Sequence, residues 1–279
     1  MAGDFFLVQG EILQILVGGQ GEDYTDDAGG GGGTFVVGEN GPLIIAGGGV
    51  LYSRAENQLN EFAAKHQIPV AETTAGKTSV LDRHTHGVGL TGPTGSSAAN
   101  SLAADADVVV CVGTRLQDFT TGSWSCFQDE NVRFININTA SFDAHKHRSH
   151  AVVGDAKICL EELDDALGAW TAPSSRMSQA ISAMDEWRGY LQERRQPTND
   201  VPRYSEVVGA IHELATAEDR VLTAAGGLPG EMNKGWLAKG HGSYDCEYGF
   251  SCMGYETSGG WGAAMAKAEA NDGGELIVF

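Results

Sequence analysis

Gly47, Gly48 and Gly49 lie between the apolar run PLIIA and an amphipathic stretch. In that setting a strand–turn–helix can cradle phosphate with backbone N–H groups. The dinucleotide fingerprint G-x-G-x-x-G needs a third glycine, however, and Tyr52 occupies its place. Glu72 closes the next apolar run, where a ribose-binding acid can sit. A tight turn that only lets two backbones approach accounts for the same glycines. A second candidate, AETTAGKT over Ala71–Thr78, fits a relaxed P-loop with Gly76, Lys77 and Thr78 in the key places. A P-loop must open a helix at Gly-Lys-Thr, whereas VLDRHTHGVGLTGP follows here, and Glu72 would repel phosphate.

His145, His147 and His150 are close-set in DAHKHRSH, but no Cys or carboxylate at ligand spacing completes a metal site, so a solvated loop is expected. Ser251 in YGFSCMG is not a nucleophile elbow, because Met253 stands where G-x-S-x-G needs glycine. The last eighty residues carry more. TAAGGLPGEMNKGW places a glycine-rich turn after an apolar strand, and a second turn, YGFSCMGYE, feeds the small-residue helix TSGGWGAAMAKAEA. Gly259, Gly260, Gly262, Ala263 and Ala264 allow close approach of a ligand or of another backbone. Two such turns on one sheet edge predict a ligand site at the strand C-termini, and tight helix packing is the alternative.

The elements that must position these turns alternate. PLIIA, IPVAET, DVVVCVG and RFININ read as strands, and AVVGDA leads into the helix KICLEELDDAL. Ser53 is placed to cap the helix SRAENQLNEFAAKH, in which Ala55, Leu59, Phe62 and Ala63 recur at helical spacing. Strands alternating with helices predict an α/β fold with a doubly wound parallel sheet over residues 41–170. Residues 171–202 form a helical connector with Met177, Ile181, Met184, Trp187 and Leu191 on one face, ended by QPTNDVP. A second α/β unit begins at Arg203 with helix YSEVVGAIHELAT, strand RVLTAA and loop GGLPGE. Residues 1–40 carry seven acidic residues and no Lys or Arg, and DYTDDAGGGGG reads as an acidic flexible linker. The piece FFLVQGEILQILV is open between strand and helix.

A length of 279 residues suggests two domains. The net charge of −19 disfavours nucleic-acid partners and anionic membranes. Five cysteines without a C-x-x-C spacing, with Cys111 and Cys159 inside apolar runs, imply buried thiols and a reducing, cytoplasmic location. No apolar run reaches the ~20 residues that span a bilayer. No basic residue precedes Arg54, so a signal peptide is not expected.

The segments PLIIAGGGV, IPVAETTAGKTS, VGTRLQDFTTGSW, FININTASFDAHKH, VVGDAK, TAAGGLPGEMNK and EYGFSCMGYETSGGWGAAMA occur in this order. Together they resemble thiamine diphosphate (ThDP)-dependent enzymes, and within them the ring-opening cyclohexanedione hydrolases of myo-inositol catabolism. The resemblance runs from Gly41 to Phe279. GTRLQDFTTGSW and EYGFSCMGYE are specific to that group, whereas the GTR loop and the CMGYE helix are shared with acetolactate synthases.

The resemblance implies a Rossmann-like central domain over 41–170. It also implies the first part of a ThDP-binding (diphosphate) domain over 203–279, stopping before the Gly-Asp-Gly motif that holds Mg²⁺. The activating glutamate belongs to a pyrimidine-binding domain that residues 1–40 do not resemble, so no catalytic residue and no metal ligand is assigned in this chain. ThDP and Mg²⁺ are the implied cofactors. Carried over by position, Gly227, Leu228, Pro229, Gly230 and Glu231 lie near the cofactor, and Ser251, Met253 and Gly254 support its rings. Met253 matches the residue that packs beneath the bent cofactor in relatives. Glu256 replaces a glycine usual in acetolactate synthases and is the candidate for handling substrate or water. The implied reaction is hydrolytic opening of a trihydroxycyclohexane-1,2-dione to 5-deoxyglucuronate, by a homodimer or homotetramer in the full-length family. The chain itself is then expected to be an inactive fragment. An acetolactate synthase-type carboligase and a non-catalytic nucleotide-binding or scaffold module are the alternatives.

Overall fold

Runs of consecutive apolar residues such as PLIIA and VVVCV suit strands covered on both faces, and here each is buried along its whole length. The computed structural model describes residues 12–16, 33–37, 40–198, 201–247, 249–250 and 252–279. Most of the acidic glycine-rich tail, and Ser251, lie outside them. The chain opens with β1 (Ile12–Leu16) and β2 (Gly33–Val37), paired antiparallel. A strand thus occupies the piece that the sequence left open between strand and helix. Then follow β3 (Pro42–Ala46), α1 (Gly48–Tyr52), α2 (Glu56–His66), β4 (Val70–Glu72), a 3-10 turn at Thr74–Gly76, β5 (Gly87–Leu90) and α3 (Ser97–Ala104). Next come β6 (Val108–Val112), α4 (Asp118–Thr121), β7 (Arg133–Asn138), α5 (Ser141–Ala144), β8 (His150–Val153) and α6 (Ala156–Leu167). The long α7 (Ser174–Arg194) leads to α8 (Tyr204–Leu214), β9 (Arg220–Thr223), α9 (Gly227–Gly235), β10 (Tyr244–Cys246), α10 (Tyr255–Ala270) and β11 (Leu276–Val278).

Strands β5-β4-β3-β6-β7-β8 form one parallel sheet in that order. The chain runs outward from β3 to β5, returns to β6 and runs outward again, so the strand order reverses between β3 and β6. One face is covered by α2 and α6 through Leu59, Phe62, Leu160 and Leu163, the other by α3 and α7 through Leu102, Met184, Trp187 and Leu191. This is the doubly wound α/β architecture. A smaller parallel sheet, β10-β9-β11, builds the C-terminal unit around Val208, Val221, Met232 and Trp236.

Three local expectations change. Ser53 does not cap α2, because a turn intervenes. It ends α1 instead, and its hydroxyl donates to Asp155 Oδ2 at 2.7 Å, while Asp155 caps α6. Ile181 is exposed, because the buried seam of α7 passes through Ala180 on its way from Met177 to Met184. Cys159 is only half-buried, against the fully buried Cys111, because it flanks the inward stripe Ala156–Leu160–Leu163.

Two buried charges were not foreseen as structural. Arg176 on α7 is fully buried beneath the large sheet. Its guanidinium donates to Pro42 O at 3.2 Å, Leu102 O at 2.7 Å and Asp105 Oδ1 at 2.8 Å, fastening α7 to β3 and α3. Lys77 leaves the large sheet and enters the C-terminal unit, where Nζ donates to Asn233 O at 3.0 Å and lies 5.3 Å from the Tyr244 ring centroid. Around it, Gly242 N donates to Thr78 Oγ1 at 2.8 Å, His241 Nδ1 lies 2.7 Å from Thr78 O, and Asp82 N donates to Ala238 O at 2.9 Å. Glu72 at the end of β4 is buried beneath and accepts from Val80 N at 3.0 Å. Burial pushes the Glu72 carboxyl up to about 7, with the Lys77 charge opposing, and pushes Lys77 down to about 8.

Replacing Arg176 with Met is expected to cost about 3 kcal/mol, since two buried carbonyls lose their donor and a carboxylate its partner. Denaturant unfolding measures this, and a loss below about 1 kcal/mol would contradict the assigned role. The Glu72 shift makes a signed prediction. A raised carboxyl binds more protons in the folded state than in the unfolded one, so its contribution is present below the ordinary value of 4.5 and lost as pH rises to about 7. The buried imidazoles His86 and His212, both held near 4 by burial, act in the opposite sense on the acid side. The readout is therefore a difference: the melting temperature of Glu72→Gln minus that of the parent should climb between pH 4.5 and 7. A flat difference curve would refute it.

Candidate functional site

The turn after β3 packs backbone on backbone. Gly47 N donates to Val112 O at 2.8 Å and Gly49 N to Gly113 O at 3.0 Å. A Cβ on Gly47 would lie 2.3 Å from Gly113 O, and one on Gly49 would lie 2.6 Å from Gly113 Cα. These glycines are needed so that the β3 and β6 turns can cross where the strand order reverses. A crevice of about 550 Å³ opens beside them, lined by Tyr52, Arg115, Asn138, Asp143 and Asp155 among others. Helix α1 has only five residues. Glu72 is turned into the interior toward Val80 and not toward a ribose position. The tight-turn reading is the one this geometry fits.

The P-loop-like segment does not open a helix. Thr74–Gly76 is a single 3-10 turn, Thr73 Oγ1 accepts from Gly76 N at 3.0 Å, and Lys77 points into the neighbouring unit. The three histidines of the β7–β8 connection each have local surroundings. His145 Nδ1 is 2.9 Å from Ser141 O, the His147 ring lies 4.2 Å from that of Trp124, and His150 begins β8.

The two C-terminal turns share an edge, because β9 and β10 are parallel neighbours and each turn follows its strand's C-terminal end. The first is not the loop GGLPGE. Gly226 holds φ +147°, and the helix α9 starts at Gly227. Pro229 is tolerated because it sits in the first turn, where its missing N–H has no helical partner. Pro229 is buried, Leu228 packs against the small core, Gly230 faces Thr94, and Glu231 pairs with Lys234 at 3.0 Å. The sequence-assigned residues of this turn are therefore mainly packing residues, and Gly226 with Gly227 forms its open end.

The second turn is tied by Glu247, whose carboxylate accepts from Phe250 N at 3.1 Å and Cys252 N at 2.8 Å. These bonds hold its carboxyl below the ordinary range. Sequence reading passed over Glu247. Its signal was an acid placed just ahead of a glycine-containing turn. Gly254 takes φ +96° as the N-cap of α10, and its N–H donates to Glu256 Oε2 at 2.8 Å, so the Glu256 carboxylate closes its own turn. Tyr255 donates to Asp245 Oδ2 at 2.8 Å, and that carboxylate pushes its phenol up to about 12. Met253 is 81% exposed and belongs to no core. On α10, Gly259 lies under the Tyr255 ring, which a Cβ would meet at 2.6 Å, and Gly260 faces Val278 of β11, whereas a Cβ on Gly262 would meet nothing within 4 Å.

The edge thus offers a helix N-terminus, a left-handed glycine and an exposed thioether, a set that can hold a cofactor's anionic tail and apolar ring. Among the described residues, no group of three or more His, Cys, Asp or Glu is placed to hold a metal. Also among the described residues, no helix is long and apolar enough to cross a membrane.

A family model described as thiamine pyrophosphate enzyme, central domain, matches residues 36–163. The chain is 36% identical over 84% of its length to a 3D-(3,5/4)-trihydroxycyclohexane-1,2-dione hydrolase of Clostridium perfringens. It is 38% identical over 82% of its length to that of Clostridium botulinum strain Alaska E43, and 36% over 81% to that of Bacillus cereus strain 03BB102. It spans about 40% of the length of these curated relatives. The large sheet with its crossing glycine turns is thus a thiamine pyrophosphate enzyme central domain, in a chain homologous to the 3D-(3,5/4)-trihydroxycyclohexane-1,2-dione hydrolases.

Proposed function

We propose that this chain contributes the central domain, residues 41–170, and the first part of the diphosphate-binding domain, residues 203–279, to a ThDP-dependent hydrolase. On this reading residues 171–202 are the helical connector. The enzyme opens trihydroxycyclohexane-1,2-dione to 5-deoxyglucuronate, acts in the cytoplasm and works as a homodimer or homotetramer. The observation that carries the proposal is the shared edge of β9 and β10. There an exposed methionine and two unusual glycines stand in segments that resemble the hydrolase group. Bound ThDP supplies a nucleophilic carbon and an electron sink for cleavage beside a carbonyl.

The chain's own residues bind and position. The free N–H groups at the start of α9, at Gly227 and Leu228, suit the diphosphate. Pro229, Gly230 and Glu231 fix that helix against the rest of the fold. Met253 provides the apolar surface under the cofactor's rings and Gly254 leaves room for it, while Ser251, outside the described residues, is assigned to the rings by the resemblance alone. Glu256 orders the turn through Gly254 N and faces substrate or water with what remains of its carboxylate. The proposal assigns the Mg²⁺ ligands and the activating glutamate to no residue of this sequence.

The purified chain with ThDP and Mg²⁺ is accordingly expected not to open the dione ring above background in a coupled assay. Ring opening by the chain alone would overturn that assignment. A chimera joining residues 41–279 to the flanking segments of the Clostridium perfringens relative should regain turnover. In that chimera Met253→Ala should lower kcat/KM by about tenfold or more (~1.4 kcal/mol or more) through lost positioning. Its melting temperature should stay unchanged, because the side chain is exposed. A Met253→Ala chimera with parental kcat/KM and a lowered melting temperature would reject the cofactor role.

A further inference from the structure

The large sheet has a second opening, at the edge opposite the glycine turns. Arg133 is the first residue of β7, and Arg148 and His150 stand just before and at the start of β8. With Trp124 and His147 they line a cleft of about 670 Å³, within the range of small-molecule sites. Glu130 is the one acid in its lining. Neither Arg133 nor Arg148 makes an ion pair among the described residues, whereas the neighbouring Lys146 is committed to Asp143. Two guanidiniums without a carboxylate are conspicuous in a chain of net charge −19.

Ring contacts line the cleft's wall. Trp124 meets Phe134 edge-on at 5.5 Å and His147 at 4.2 Å, and Phe127 meets Phe134 edge-on at 5.0 Å. Four residues at or beside it hold left-handed backbone without being glycine: Ser123 at φ +53°, Trp124 at +70°, His147 at +59° and Arg148 at +56°. Such conformations are uncommon for side chains with a Cβ, and they gather at ligand clamps and switch segments. The Trp124 ring is packed against His147, and the two arginines offer planar forks of hydrogen-bond donors to the cleft, with Glu130 also in its wall. Burial and Lys146 hold His147 below the usual imidazole range.

We propose that this cleft binds a small phosphate-class oxyanion, its oxygens held by the planar forks of Arg133 and Arg148. The site is independent of the ThDP reading, since it lies on the other edge of the other sheet.

The test is titration calorimetry of the full chain with sodium pyrophosphate and with inorganic phosphate, without Mg²⁺, at 50 and 200 mM NaCl. One saturable site should appear, weaker at the higher salt. Arg133→Gln/Arg148→Gln should lower affinity at least tenfold with the melting temperature unchanged, as both side chains are exposed. Arg115→Gln, in the crevice at the opposite edge, should leave affinity as it was. If the double variant loses its cooperative melt, the single variants decide the matter, each lowering affinity at least threefold. Absence of saturable binding, unchanged affinity in the arginine variants, or loss of binding in Arg115→Gln alone would overturn the proposal.

Discussion

The ammonium of Lys77 crosses from the large sheet into the C-terminal unit, and the placement of the candidate site depends on it. Burying a charge is costly unless hydrogen bonds and an opposite charge meet it. Here Asn233 O accepts from Nζ, Tyr244 offers its ring, and Glu72 supplies the opposing charge from beneath. Asn233 lies on α9 and Tyr244 on β10, the two elements whose ends form the proposed cofactor edge. Tyr244 also donates to Asn233 Oδ1 at 2.9 Å, so both elements are tied to each other and to one lysine. The loop 72–84 therefore acts as a brace. It leaves the end of β4, turns once at Thr74–Gly76, and bonds to the C-terminal unit through Lys77, Thr78 and Asp82.

This brace explains why a segment resembling a P-loop contains glycine, lysine and threonine without binding phosphate in that manner. Gly76 is required where a Cβ would lie 2.2 Å from Ala46 O. Lysine reaches across a gap between units, and Thr78 Oγ1 receives Gly242 N. The same residue types serve a phosphate loop because they too permit close backbone approach and a long cationic reach. Only the element that follows separates the two uses, and here no helix follows.

The large sheet was legible because its strands are nearly pure apolar runs and its helices carry stripes such as Leu59–Phe62–Ala63. β5 was not, since GVGL is half glycine and gains its strand character from pairing with β4. Helix α9 was read as a loop because GGLPGE has low helical propensity. Burial of Pro229, Met232 and Asn233 overrides that preference. Arg176 was invisible for a different reason. An arginine one turn into an amphipathic helix looks like a surface residue, and only the carbonyls of Pro42 and Leu102, far away in sequence, make it an interior one. The small-residue helix α10 was recognised, but its division of labour was not. Gly260 serves packing and Gly262 faces open space, which depends on where β11 lies.

The two units divide stability and function unequally. The large sheet carries two extensive apolar cores, one on each face, and its conspicuous glycines are consumed by backbone crossings. The C-terminal unit has a core of a few residues around Met232 and Trp236. It exposes Phe250, Met253, Trp261 and Met265 within sixteen residues. Exposed apolar side chains this dense in the chain are unfavourable in water and suit a place to be covered by ligand or protein. A small sheet cannot easily stabilise such a surface by itself. Its position is set instead by Lys77, by Arg195 of the turn after α7, which donates to Gly235 O, and by the loop residue Asp82, which Arg188 of α7 holds at 3.0 Å and whose N–H donates to Ala238 O. The open edge is thus held by a scaffold whose own interior is closed, and this allows exposed apolar side chains and left-handed glycines to persist where a cofactor would meet them.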